Sequence, residues 1–85
     1  MIHTWLSRQR NGDYMLTALK PTSAPVGKSD AYDWYVRPGD PIGYRSMCPA
    51  AVKLIWGVEL EPGESVRVWS DGGLLVEEHE VCYGP

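Results

Sequence analysis

Two tyrosines and two arginines close together in the middle of the chain, Tyr35, Arg37, Tyr44 and Arg45, are the residues whose types and spacing best suit chemistry on a ligand. Arginine offers a planar fork of donors that matches a phosphate, and a tyrosine ring offers a face on which a base can stack. The set lies just before a predicted helix, whose free N–H groups would favour an anion, although Pro49 removes one of them. Together these are the parts of a nucleotide-sized pocket, over which Lys28 would close from a long connecting segment. The plainer alternative is that Arg37 and Arg45 pair on the surface with Asp33, Asp40 or Glu59.

Other chemistries fit less well. His3, Cys48, His79 and Cys82 do not form a metal site by spacing, because zinc ligands normally come in pairs a few residues apart. On a strand, positions 79 and 82 would point to opposite faces, and Cys48 beside Pro49 reads as a small buried apolar residue. Nucleophile elbows, metalloprotease helices and phosphate loops are absent from the sequence. A small hydrolase using Asp33, Asp40 or His79 remains a minor alternative to a non-enzymatic protein with no catalytic residues, no metal and no cofactor.

The elements that must position these residues are short. Pro49 suits the first helical position and Gly57 the left-handed residue that ends a helix, which brackets a helix over Pro49 to Trp56. At about 1.5 Å per residue it is only ~12 Å long, so tertiary contacts must hold it. Ala50, Ala51, Val52, Leu54, Ile55 and Trp56 leave Lys53 as its single charge. It needs cover on more than one side, which leaves two readings: it packs on a sheet with Trp56 at the rim, or one face, with Trp56 and Val52, is covered by a second copy of the chain. A homo-oligomer is expected.

Before the helix, Ile2 to Arg8 and Tyr14 to Lys20 flank Asn11-Gly12, and a two-residue turn there would set Arg10 opposite Asp13 and Leu6 opposite Thr17. Both faces of that hairpin carry apolar side chains, which predicts something on each side or one exposed aromatic face. Thr22 to Asp30, with Pro25, Gly27, two serines and Lys28, reads as a loop. Ala31 to Arg37 reads as a strand with Tyr32, Trp34 and Val36 toward the core, stopped by the shaped turn Pro38-Gly39-Asp40-Pro41.

After the helix, Glu64 to Ser70 and Leu74 to Cys82 form a second hairpin. A three-residue turn at Asp71-Gly72-Gly73 would pair Ser70 with Leu74 and bring Arg67 opposite Glu77. The resulting order is β-β-loop-β-α-β-β. The fold class is α+β, a small antiparallel or mixed sheet of about five strands with one short helix packed on it.

Eighty-five residues make a single domain over 1–85, near the size where one core only just suffices. Phenylalanine is absent, so four Trp and five Tyr must build much of the core as well as any binding surface. The two cysteines form no dense framework and read as reduced thiols of a cytoplasmic protein. With neither a signal-peptide pattern nor an apolar run approaching about 18 residues, no membrane is expected.

Net charge is −3 but unevenly distributed. Residues 1–56 hold seven Lys/Arg and four Asp, net +3, and residues 57–85 hold Arg67 against one Asp and six Glu, net −6. An acidic total argues against general nucleic-acid binding, while Glu77, Glu78 and Glu80 make an acidic group suited to a basic protein partner.

The stretches NGDYMLTALKP, YVRPGDPIGYR and GVELEPGESVRV give the chain a resemblance to small, functionally uncharacterised proteins of tailed bacteriophages. What it implies is origin more than activity, since these are structural motifs. Such proteins often act as stoichiometric inhibitors of host defence, in the host cytosol. Three readings follow. One is sequestration of an anionic nucleotide-like signal by Tyr35, Arg37, Tyr44, Arg45 and Lys28. Another is inhibition of a host nuclease or defence effector through the acidic surface, and the third is a minor structural or assembly role in the phage particle.

Overall fold

A computed structural model describes residues 3–27 and 31–81. Among the described residues one α-helix, α1, runs Pro49–Trp56, with the bounds the two punctuating residues predict. Cys48 precedes it in extended conformation, Pro49 opens it, and Gly57 closes it at φ 66°, its N–H donating to the Lys53 carbonyl at 2.9 Å. Val52 faces inward and is wholly buried, whereas Leu54 is 87% exposed. Apolar residues on both faces of one short helix give it an inner side and an uncovered outer side. No helix among the described residues is long and apolar enough to cross a membrane.

The strands are β1 (His3–Arg8), β2 (Tyr14–Thr17), β3 (Thr22–Pro25), β4 (Tyr32–Tyr35), β5 (Arg45–Met47), β6 (Glu64–Trp69) and β7 (Leu74–Val81). Five of them form an antiparallel sheet in the order β5-β2-β1-β6-β7, and β3 and β4 form a separate two-stranded ribbon. Because β5 pairs with β2 and β6 with β1, α1 carries the chain from the edge of the sheet across to an inner strand. This is the α+β domain expected, a sheet of five strands with one helix packed on it.

Thr22–Pro25 corrects the expected loop over 22–30. It pairs with β4 residue by residue, from Thr22 with Tyr35 to Pro25 with Tyr32. Three of its four residues are exposed, so no alternation of apolar and polar residues marks it as a strand. Its partner supplies the reason it is extended. Lys28, in the connection that follows, lies outside the described residues.

Both hairpins close differently from the sequence expectation, and in the same way. Around Arg10, Asn11 and Gly12, Gln9 and Asp13 form the last pair, with the Gln9 N–H donating to the Asp13 carbonyl at 2.9 Å and the Gly12 N–H donating to the Gln9 carbonyl at 3.0 Å. Gly12 takes φ 95°, and Asn11 Oδ1 accepts the Asp13 N–H at 2.9 Å. The extra turn residue shifts the register by one, so that Leu6 lies opposite Leu16 and Trp5 opposite Thr17.

Around Ser70, Asp71 and Gly72, the Trp69 N–H donates to the Gly73 carbonyl and the Gly72 N–H to the Trp69 carbonyl. The turn sits one residue earlier than expected. Val68 therefore faces Leu74, and Arg67 faces Leu75 rather than Glu77. In each hairpin the glycine at the third turn position takes the positive φ that a three-residue turn requires there, 95° at Gly12 and 114° at Gly72. Past Arg67 the register steps, placing Val66 opposite His79.

The first hairpin's two apolar faces are both covered. Toward α1, Leu6, Tyr14, Leu16, Val66 and Val68 pack with Val52 and Leu60, with Met47, Trp56 and Val58 closing the margin. On the opposite side Met15 packs against Trp34, which is 3% exposed, and Tyr32 joins them. Ser7 and Ser65, neighbours in register on that second side, share a buried hydroxyl hydrogen bond of 2.8 Å. Helix, sheet and ribbon thus make three layers.

Candidate functional site

The segment that carries Arg37 to Arg45 is a rigid double turn. Pro38-Gly39 allows the Asp40 N–H to reach the Arg37 carbonyl at 3.1 Å, with Gly39 at φ 87°, and the Gly43 N–H then reaches the Asp40 carbonyl at 3.1 Å. Asp40 fastens this segment to the end of β2. Its Oδ1 accepts the N–H groups of Ile42 at 2.8 Å, Gly43 at 3.1 Å and Ala18 at 3.3 Å, and its Oδ2 accepts that of Leu19 at 2.9 Å. Partial burial pushes the Asp40 carboxyl upward, but those four donors favour the charged form more strongly and hold it below the ordinary carboxylate value.

Tyr35, Arg37, Tyr44 and Arg45 are all exposed, and they do not converge. Arg45 lies opposite Leu16 in register, which places it on the α1 side of the sheet. Tyr35 belongs to the ribbon on the other side, and since Tyr32 and Trp34 turn toward Met15, alternation turns Tyr35 away from the sheet. The Tyr44 hydroxyl donates to Gln9 Oε1 at 2.8 Å. The Arg37 and Arg45 guanidinium groups have no hydrogen-bond or ion-pair partner among the described residues, so the alternative pairing with Asp33, Asp40 or Glu59 is not seen there.

The acidic residues considered for catalysis have structural tasks. Asp33 Oδ1 accepts the N–H groups of Trp34 at 2.9 Å and Arg10 at 3.1 Å, while the Arg10 guanidinium donates to the Tyr32 carbonyl, tying the first hairpin's tip to the ribbon. His3 lies between the Arg67 guanidinium, 2.7 Å from its Nε2, and the Trp69 ring, 5.4 Å away between centroids. Among the described residues no three His, Cys, Asp or Glu groups gather as metal ligands. Cys48 is exposed beside the helix rather than buried, and Cys82 lies outside the described residues.

For an interface the helix offers other residues than those expected. Val52 is wholly buried in the chain's own core, and the Trp56 indole Nε1 donates to the Trp69 carbonyl at 2.9 Å. The outer ridge is Ala50, Lys53 and Leu54, with Ile55 at its edge. Leu54 was legible only as one of several helical apolar residues, because the sequence does not say which side meets the sheet. The acidic residues Glu77, Glu78 and Glu80 lie along β7, at one edge of the five-stranded sheet.

One concavity gathers residues that no spacing in the sequence joins. Tyr14, Pro49, Ala50, Lys53, Val58 and Glu59 line a cavity of about 150 Å³ between the start of α1 and the segment that follows its end. Tyr14 is 1% exposed, its hydroxyl accepts the Leu60 N–H at 2.8 Å, and its ring lies under the Arg8 guanidinium at 5.1 Å. Arg8 in turn donates to the carbonyls of Leu60 and of Gly12, the latter at 2.9 Å, which fixes both the tyrosine and the 58–60 segment.

No protein-family model matches the chain, and searches of curated proteins and of solved structures likewise give no match.

Proposed function

We propose that this chain is a non-enzymatic binding protein that occupies a basic surface of a protein partner stoichiometrically, with β7 as its contact strand. The observation that carries this reading is the place of β7 in the sheet: an eight-residue strand at the edge, with Glu77, Glu78 and Glu80 in its sequence. An edge strand presents backbone donors and acceptors to an added strand, and carboxylates along it steer a basic partner and disfavour other edges. The charge of −6 over residues 57–85 works in the same direction. The resemblance to phage proteins would make the partner a component of host defence, and the acidic charge would make it a basic one such as a nuclease.

Capture of a nucleotide-like signal finds less support. Its residues lie on both sides of the sheet, and a cavity of about 150 Å³ falls well short of the roughly 300 Å³ where pockets for larger ligands begin.

The test is a panel of purified basic nucleases assayed with the protein at low and high salt. Inhibition that saturates at a fixed molar ratio, falls with salt and is weakened at least about tenfold by replacing Glu77, Glu78 and Glu80 together with Gln is the expected result. A triple variant that inhibits as well as the parent, or a parent that inhibits none, would overturn it.

A further inference from the structure

Among the described residues the five-stranded sheet ends on β5 at one side and on β7 at the other, and the two edges carry opposite charge. At β5, Tyr44, Arg45 and Ser46 are exposed, and the Arg45 guanidinium has no partner among the described residues. At β7 the sequence places Glu77, Glu78 and Glu80. The charge of the chain follows the same division, +3 over residues 1–56, which hold β5, and −6 over residues 57–85, which hold β7. An unpaired edge is a template for another strand. The charges that keep each edge from pairing with its own kind let it pair with the other.

The ladders decide which backbone groups each edge offers. The Gln9 N–H donates to the Asp13 carbonyl, so β1 and β2 exchange bonds at every second pair from there, Ser7 with Met15 and Trp5 with Thr17. Tyr14 and Leu16 therefore turn their groups to Met47 and Arg45, and Ser46, between those two, turns its N–H and carbonyl away from the sheet. At the other side the Trp69 N–H donates to the Gly73 carbonyl, so Arg67 and Ser65 bond to β7 at Leu75 and Glu80. His79 and Val81 then turn their backbone groups outward. Leu75 and His79 lie opposite the adjacent residues Arg67 and Val66, which leaves Val76, Glu77 and Glu78 with no residue across from them. A bulge of this kind bends an edge strand and stops a long added strand. What remains open is the short run from His79 to Val81, equal in length to β5.

We infer that a second copy of the chain adds its β5 to β7 of the first, with Ser46 exchanging backbone bonds with the run from His79 to Val81 and Arg45 drawn to the acidic residues of that strand. Like edges repel: β7 on β7 sets carboxylates against carboxylates, and β5 on β5 sets Arg45 against Arg45. The contact is therefore head-to-tail, and every copy added leaves one edge of each kind free, so growth continues past a dimer. A seam only three residues long holds weakly, with Kd on the order of 0.1–1 mM. The second copy is a different occupant of β7 from the basic partner proposed above and competes with it, so dilution favours the partner.

The experiment is sedimentation velocity of the full chain under reducing conditions, from about 10 µM to about 1 mM, at low and high salt. The parent should be monomeric at the dilute end and exceed the mass of a dimer at the concentrated end, with high salt weakening association at least about tenfold. Arg45→Glu makes both edges acidic, and replacing Glu77, Glu78 and Glu80 together with Lys makes both basic. Each variant should stay monomeric alone, and the two should assemble when mixed, because each supplies the charge that the other lacks. Ser46→Pro removes the outward N–H and keeps the bonds to β2, so it should abolish assembly while the thermal melt stays cooperative. The inference is overturned by a parent that remains monomeric at the concentrated end, by charge variants that assemble alone like the parent, by a mixture of folded variants that stays monomeric, or by a Ser46→Pro chain that assembles undiminished. Nuclease inhibition is assayed well below the concentrations of assembly, so either reading of β7 can fail while the other stands.

Discussion

Gly72 and Ile55 meet so closely that a Cβ on Gly72 would lie 2.9 Å from the Ile55 carbonyl oxygen and 3.8 Å from its Cγ2. The tip of the β6–β7 hairpin thus rests on the last turn of α1, beside the hydrogen bond from the Trp56 indole to the Trp69 carbonyl. These two contacts lock the helix to the hairpin.

Gly72→Ala should therefore be costly for two separate reasons, a φ of 114° that L side chains rarely adopt and a methyl group pressed on backbone that cannot turn aside. Gly12→Ala is the control. Gly12 also has positive φ, 95°, but its Cβ would meet only the Arg8 guanidinium at 3.9 Å. Urea unfolding should show Gly12→Ala losing about 1 kcal/mol, and Gly72→Ala losing at least twice as much, within the usual ~1–3 kcal/mol range for strained positions. Equal losses would mean that the hairpin tip does not bear on α1.

Punctuation residues made the helix legible, since Pro49 and Gly57 act through their own backbone and need no knowledge of the rest of the chain. Apolar side chains on both faces of the first hairpin left two outcomes open, a cover on each side or one exposed aromatic face, and the first holds, since Leu6 and Met15 end in different clusters. Register was harder, because Asn11-Gly12 suits a turn of two or three residues and only packing of Leu6 with Leu16 chooses between them. β3 was invisible, because Thr22, Ser23 and Pro25 are exposed and its extension comes from β4. The site fared worst. Tyr44 and Arg45 are adjacent in sequence, yet Tyr44 reaches Gln9 while Arg45 takes the α1 side with Leu16. The cavity joins Tyr14, Lys53 and Glu59 only through the path of α1 across the sheet.

Acid should loosen the fold at Asp40. Its folded carboxyl titrates below the ordinary value, held there by the N–H groups of Leu19, Ile42, Ala18 and Gly43 against the opposing effect of burial. Protons then bind the unfolded chain more readily than the folded one. The contribution is complete above the unfolded pKa of about 3.9 and disappears as pH falls through the lower folded value. Asp40→Asn removes this dependence together with the charge. Thermal melts from neutral pH downward should show the parent losing stability below about pH 4 more steeply than the variant, while at neutral pH the variant should be the less stable. Parallel curves for the two proteins would show that the carboxylate does not anchor the double turn to β2.

The outer face of α1 decides the oligomer expected from the helix's composition, and Leu54 is the residue to change. Leu54 is 87% exposed, so Leu54→Glu removes apolar surface while touching nothing within the chain, and its effect on stability should stay within about 0.5 kcal/mol. Trp56→Glu acts differently. It breaks the indole hydrogen bond to the Trp69 carbonyl and withdraws a ring from the margin of the α1-side core, so it should destabilise the monomer by about 3–5 kcal/mol whatever the oligomeric state. Light scattering at micromolar concentration, read beside urea unfolding, separates the two effects. A second copy seated on Ala50, Lys53 and Leu54 predicts that Leu54→Glu lowers the mass with unfolding unchanged at the monomer level. A parent that scatters as a monomer would leave the ridge without a second copy, and an oligomer unaffected by Leu54→Glu would place the contact on another surface, with β7 the next edge to test.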